Sequence, residues 1–207
     1  MRPLPQSADL RPDGTNSSVA GRSTLDAKSE KPKSSFDRAL AYRWLWAVAL
    51  GAFLADQLTK VWINSRLPLG SYGPAGIVIF PGFFNLVHVG NTGAAWSMFT
   101  GRSTLLALLA LLTLAAIFHW RRQLGLRQTV AQLCFGLLCG GTVGNLLDRV
   151  VHGHVIDFLD FHFGSYIYPT FNVADAAICV GVFGYLLWSL RHPAPPGTSR
   201  GRHLGSE

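Results

Sequence analysis

Acidic side chains are scarce in this sequence beyond Asp37: only Asp56, Asp148, Asp157, Asp160, Asp175 and Glu207 follow it. Charged residues of both signs make up 14% of the chain, against about a quarter in a soluble domain, while 49% is hydrophobic. That balance excludes an ordinary soluble globular protein and points to a membrane protein. Cysteine is sparse as well. Cys134, Cys139 and Cys179 lie inside apolar runs, which excludes a disulfide framework and zinc-site spacing and leaves them as small hydrophobes. HExxH is missing and no GxSxG stands at a strand-to-helix elbow, the match GTSRG at 197–201 lying in the polar C-terminal tail, so neither a metalloprotease helix nor a serine nucleophile elbow is present.

The net charge of +7 does not mark a nucleic-acid-binding face, because the basic residues sit in the N-terminal region and at the ends of apolar runs. Four such runs are long enough for a bilayer, which takes about 20 apolar residues per helix. They cover 44–63, 103–120, 129–147 and 172–190, and Trp44, Trp46, Trp62, Trp120 and Trp188 fall near their ends, as interfacial anchors do. Lys and Arg set the orientation. Fourteen of the eighteen lie in the N-terminal region, in the 121–128 turn and in the C-terminal tail; Lys60, Arg66, Arg102 and Arg149 are the four on the other side. Both termini are therefore expected in the cytoplasm.

The expected fold is an all-α integral membrane protein with four transmembrane helices, N-in and C-in. A small extracytoplasmic β platform is expected within 64–102, where GIVIFPGFFNLVHVGNTGAAWSMF mixes β-branched and aromatic residues with turn residues. An extracytoplasmic loop or helix joins spans three and four. Residues 1–40, rich in Ser, Pro and charge, read as a disordered cytoplasmic tail, 41–191 as the membrane domain and 192–207 as a second disordered cytoplasmic tail. No cleavable signal peptide is expected, since the first apolar run starts far from Met1, is too long and carries Asp56 and Lys60.

In this topology Asp56, Asp148, Asp157, Asp160 and Asp175 all converge on the non-cytoplasmic face. Carboxylates near a bilayer cost several kcal/mol or shift their pKa, so such a cluster points to function. Some members have plainer roles available. Asp56 and Lys60 stand i,i+4 and can neutralise each other within the span. Asn172 and Asp175 can form a capping box on span four, after Pro169. His152, His154 and His162 with Asp157 and Asp160 offer metal-ligand chemistry, but their spacing fits no standard site. Paired carboxylates remain: two in a low-dielectric cleft share one proton, so the charged one activates water while the protonated one polarises a carbonyl. Spacing alone does not select the pair. Intramembrane aspartates also mark ion paths, so a proton-coupled transporter and a non-catalytic membrane scaffold stand as alternatives.

DQLTK at 56–60, NTGAAWS at 91–97, GGTVGNLLDRV at 140–150, GHVIDF at 153–158 and FNVADA at 171–176 resemble, in order, the lipoprotein signal peptidases (signal peptidase II), aspartic proteases of the bacterial cytoplasmic membrane. The resemblance covers about 42–190. It implies Asp157 and Asp175 as the catalytic pair, with Asp56, Lys60, Asn91, Gly144, Asn145, Asp148, Arg149, Phe171, Asn172 and Ala174 at supporting positions. It implies cleavage of prolipoproteins before a diacylglyceryl-modified cysteine, at the extracytoplasmic face of the inner membrane. The implied partners are lipidated signal peptides and membrane lipid, with no nucleic acid, cofactor or metal, and a monomer. Asp160 matches no catalytic position and is expected to be incidental, its replacement by Asn nearly silent. Two departures, Trp96 for the usual Phe and Gly90 for a larger residue, bear on specificity.

Overall fold

The computed structural model describes residues 40–192, apart from Ala95 and Ser97. Apart from Leu40 and His192, the two expected tails lie outside the described residues. Four helices carry the fold: α1 Arg43–Arg66, α2 Ser103–Trp120, α3 Thr129–His152 and α4 Val173–Arg191. Four strands, β1 Ile77–Phe80, β2 Phe84–Asn91, β3 Val155–Phe163 and β4 Tyr166–Ile167, form one antiparallel sheet in the order β1-β2-β3-β4.

By length and composition α2, α3 and α4 are apolar enough to cross a membrane. The 24-residue α1 is long enough, but it falls outside that set, carrying Asp56, Gln57 and Lys60 in its interior and Arg at both ends. Many large apolar residues of all four helices point outward, among them Leu58, Leu112, Phe118, Phe183 and Leu190, as suits helices whose solvent is lipid.

The central element is α3, against which α1, α2 and α4 all pack. Small residues make this possible. A Cβ added at Gly140 would strike the Ala49 backbone of α1, and one at Gly141 would strike the Ala174 carbonyl of α4. In lipid, association depends on such close backbone approach, since burying apolar surface gains little there. One apolar cluster, Leu45, Ile117, Leu126, Ala131 and Phe135, closes the end of the bundle away from the sheet. Another, Ile63, Leu67, Ile156 and Phe158, seats the sheet on the end of α1.

Two expectations are corrected. Span three was expected to end at Leu147, where the apolar run stops, but α3 continues to His152. It ends where Gly153 takes φ +75 and donates its N–H to the Arg149 carbonyl, a left-handed cap suited to glycine. The segment between α3 and α4 is a β-hairpin, where a loop or helix was expected. VIDFLDFHF is rich in β-branched and aromatic residues, and β3 joins the platform as its third strand.

Candidate functional site

Register in the sheet delivers the first carboxylate. Val89 pairs with Asp157, and Asn91 pairs with Val155, so Asn91 is the diagonal neighbour of Asp157 on one face. The Asn91 amide donates to Asp157 Oδ2 at 2.9 Å, and Asn172 Nδ2 donates to Oδ1 at 2.7 Å. Helix geometry delivers the second. Asp175 is the third residue of α4, and the expected capping box is formed: its backbone N–H donates to Asn172 Oδ1 at 2.9 Å, and the Asn172 N–H donates to its Oδ2 at 3.3 Å. Asn145 Nδ2 donates to Asp175 Oδ1 at 2.7 Å. The capping asparagine therefore touches both aspartates.

Behind this layer stands a buried charge cluster. Lys60 Nζ lies 2.8 Å from Asp56 Oδ2, 2.8 Å from Asp148 Oδ2 and 3.0 Å from Asn145 Oδ1. The lysine therefore joins two carboxylates rather than the single i,i+4 partner expected from sequence. Asp56 also accepts the Ala174 N–H at 2.9 Å, which fixes α4 to α1, and Asp148 accepts the Ile156 N–H at 3.2 Å, which fixes β3 to α3. Gln57, not singled out in the sequence, donates to both Asp56 and Asp148. At Gly144 a Cβ would strike the Asp56 carboxylate, so the glycine is needed for close approach. Arg149 reaches the Asn145 and Gly93 carbonyls, each at 3.1 Å.

Asp157 and Asp175 line a cleft of about 380 Å³, together with Asn91, Asn145, Arg149 and Phe171. Burial, and secondarily the charge of Asp175, pushes the Asp157 carboxyl up to about 7. Four of the five aspartates thus fall in one connected network. The fifth does not: Asp160 is fully buried in a separate cluster with Tyr72, Asn85 and His162. The His152 and His154 rings lie tilted at 39° with centroids 6.0 Å apart, while His162 pairs with Asp160. Among the described residues no three His, Cys, Asp or Glu side chains gather as metal ligands.

Gly90 and Trp96 acquire physical meaning. A Cβ at Gly90 would meet the His154 imidazole at 2.9 Å, so the glycine makes room for that ring. Trp96, at φ +53 and exposed, lines the cleft mouth.

The family model described as Signal peptidase (SPase) II matches residues 48–191. This chain belongs to the signal peptidase II family. It is 41% identical over 143 residues to the lipoprotein signal peptidase of Aeromonas hydrophila, covering 67% of this chain and 83% of that protein. It is also 41% identical over 158 residues to that of Tolumonas auensis, covering 73% and 93%. A solved bacterial membrane enzyme superposes with a TM-score of 0.64 at 27% identity, covering 78% of this chain and 93% of that one. The match spans every element of the site, so the signal peptidase II framework and the aspartate network coincide in the chain.

Proposed function

We propose that Asp157 and Asp175 are the catalytic dyad of a four-span, N-in and C-in membrane peptidase whose cleft opens at the extracytoplasmic face. As a signal peptidase II, the chain is an aspartic endopeptidase that removes signal peptides from prolipoproteins. The observation that carries the dyad is the bridging of both carboxylates by Asn172 inside one cleft.

Asp157, with its carboxyl raised to about 7, holds the shared proton. Asp175 carries the charge, at a helix N-terminus where a carboxylate is favoured. It takes a proton from a water whose oxygen attacks the scissile carbonyl carbon, while Asp157 gives its proton to the carbonyl oxygen. Collapse of the tetrahedral adduct breaks the C–N bond. Asp175 passes its proton to the departing amine of the lipidated cysteine, and Asp157 recovers its own. Asn91, Asn145 and Asn172 hold both carboxylates in place throughout. Asp56, Lys60, Gly144, Asp148 and Ala174 lock α1 and α3 to β3 and α4, the two elements that carry the dyad, and Phe171 with Tyr168 gives the cleft an apolar wall. No cofactor is required by this chemistry, and a monomer contains every group named.

The purified full chain should cleave a diacylglyceryl-modified precursor peptide and leave the unmodified peptide largely uncut, with the rate unchanged by chelator. Preference for the unmodified peptide would contradict the lipid-bearing substrate, and loss restored by zinc would contradict the dyad. Topology has its own test, resting on the fourteen-to-four Lys and Arg asymmetry. A reporter active only outside the cytoplasm should be active when fused after Gly153 and silent after Gly125; the reverse pattern would invert the proposed orientation.

A further inference from the structure

We infer that Asp160 is a positioning residue for the substrate cleft, acting through Tyr72 on the 168–171 wall. Asp160 is 0% exposed and accepts from three side chains carried by three separate segments. The Tyr72 hydroxyl donates to Oδ1 at 3.1 Å; the Asn85 amide, from β2, donates to Oδ2 at 3.2 Å; His162 Nε2, from β3, donates to the same oxygen at 2.6 Å. Tyr72 arrives on the strap that follows α1, whose path is fixed by the Gly70 N–H to the His88 carbonyl and by the Ser71–His88 bridge.

The Tyr72 hydroxyl also lies 3.5 Å from Thr170 Oγ1, and Thr170 lines the cleft. The backbone ties the same wall to β3 on both sides of Asp160. Leu159 and Phe171 exchange bonds of 2.8 and 3.2 Å, and the Tyr168 N–H donates to the Phe161 carbonyl at 2.9 Å. Asp160 therefore sits where the strap, the platform and the wall meet. Asp160 and Asp157 are three apart on β3, so they point to opposite faces, and no described hydrogen bond joins Asp160 to the dyad network. Its effect is on the shape of the wall, not on proton transfer.

This inference rests on the reading of the cleft as the seat of a lipidated peptide. An Asp160→Asn change replaces one acceptor oxygen with an amide donor, so a donor from Tyr72, Asn85 or His162 loses its partner. Tyr72→Phe removes the hydroxyl alone from a ring that is 43% exposed, so its thermal midpoint should stay close to that of the unaltered protein. KM and kcat for the diacylglyceryl-modified peptide are measured for Asp160→Asn, Tyr72→Phe and the double variant, alongside their thermal midpoints. KM should rise about three- to tenfold in Tyr72→Phe, the size expected for one net hydrogen bond. Asp160→Asn should raise it at least as far, kcat should stay within about twofold, and the double variant should match Asp160→Asn, since the two act as a unit. Wild-type KM in Tyr72→Phe would overturn the inference. So would an Asp160→Asn enzyme with unchanged KM, or one with lowered kcat and an altered pH profile, which would move Asp160 into the dyad. Failure of the cleft reading shows separately, as absence of cleavage by the unaltered protein.

Discussion

Replacing either Asp157 or Asp175 with Asn should lower the cleavage rate at least about a thousandfold, because each change removes a proton carrier that the reaction uses twice. Both side chains are fixed by amides rather than by charges, so Asn is close to isosteric. The Asn91 and Asn172 donors would meet one oxygen and one amide nitrogen at position 157 in place of two oxygens. Folded yield should therefore survive better than activity. The double variant should be scarcely slower than either single, since residues acting as one unit are strongly non-additive. Steady-state rates of variants matched for folded yield decide this. Substantial turnover by a well-folded single variant would remove that residue from the dyad.

The largest effect on stability is expected at Lys60. It is 1% exposed and is the cation held between Asp56 and Asp148. Lys60→Met would leave two buried carboxylates facing each other, at a cost on the order of 3–5 kcal/mol, as for breaking a buried pair by removing one partner. Asp56→Asn should be milder, because Lys60 keeps Asp148 and Asn145. Thermal unfolding in detergent measures both. Equal midpoints for Lys60→Met and the unaltered protein would mean that the cluster does not hold the bundle together. Asp56→Met with Lys60→Met should recover part of the loss, since one charge of each sign is then removed.

The helices were legible because apolar runs set their positions: 103–120 and α2 coincide. The end of α3 was not, because hydropathy stops at Leu147 while the helical hydrogen bonds run on until Gly153 supplies a positive φ. The β2 part of the platform could be read from its alternation. The membership of β3 could not be fixed, because pairing Asn85 with Asp160 bridges 75 positions in the chain. The expected topology put the aspartates at one end of the bundle. It could not show which two meet in a cleft, since that depends on Asn172 reaching Asp157 from the N-terminus of α4. The distinct place of Asp160 was hidden for the same reason: its partner Tyr72 lies 88 residues away on an irregular strap. Gln57 stood inside a quoted motif, and its i,i+1 adjacency to Asp56 gave no sign that it also reaches Asp148.

The central claim is that Asp157 and Asp175 work as one pair with one proton. Burial raises the Asp157 carboxyl to about 7, so it is protonated below that pH and loses its proton above it. The singly protonated pair is the working form, so activity should fall as pH rises through an apparent value that belongs to the pair. The direct test is kcat against pH from 4 to 10 for the purified protein on a lipidated precursor, with chelator present. An alkaline limb with its midpoint near neutral pH is expected. A rate that stays flat from pH 6 to 10 in the unaltered protein would contradict the shared proton and, with it, the dyad.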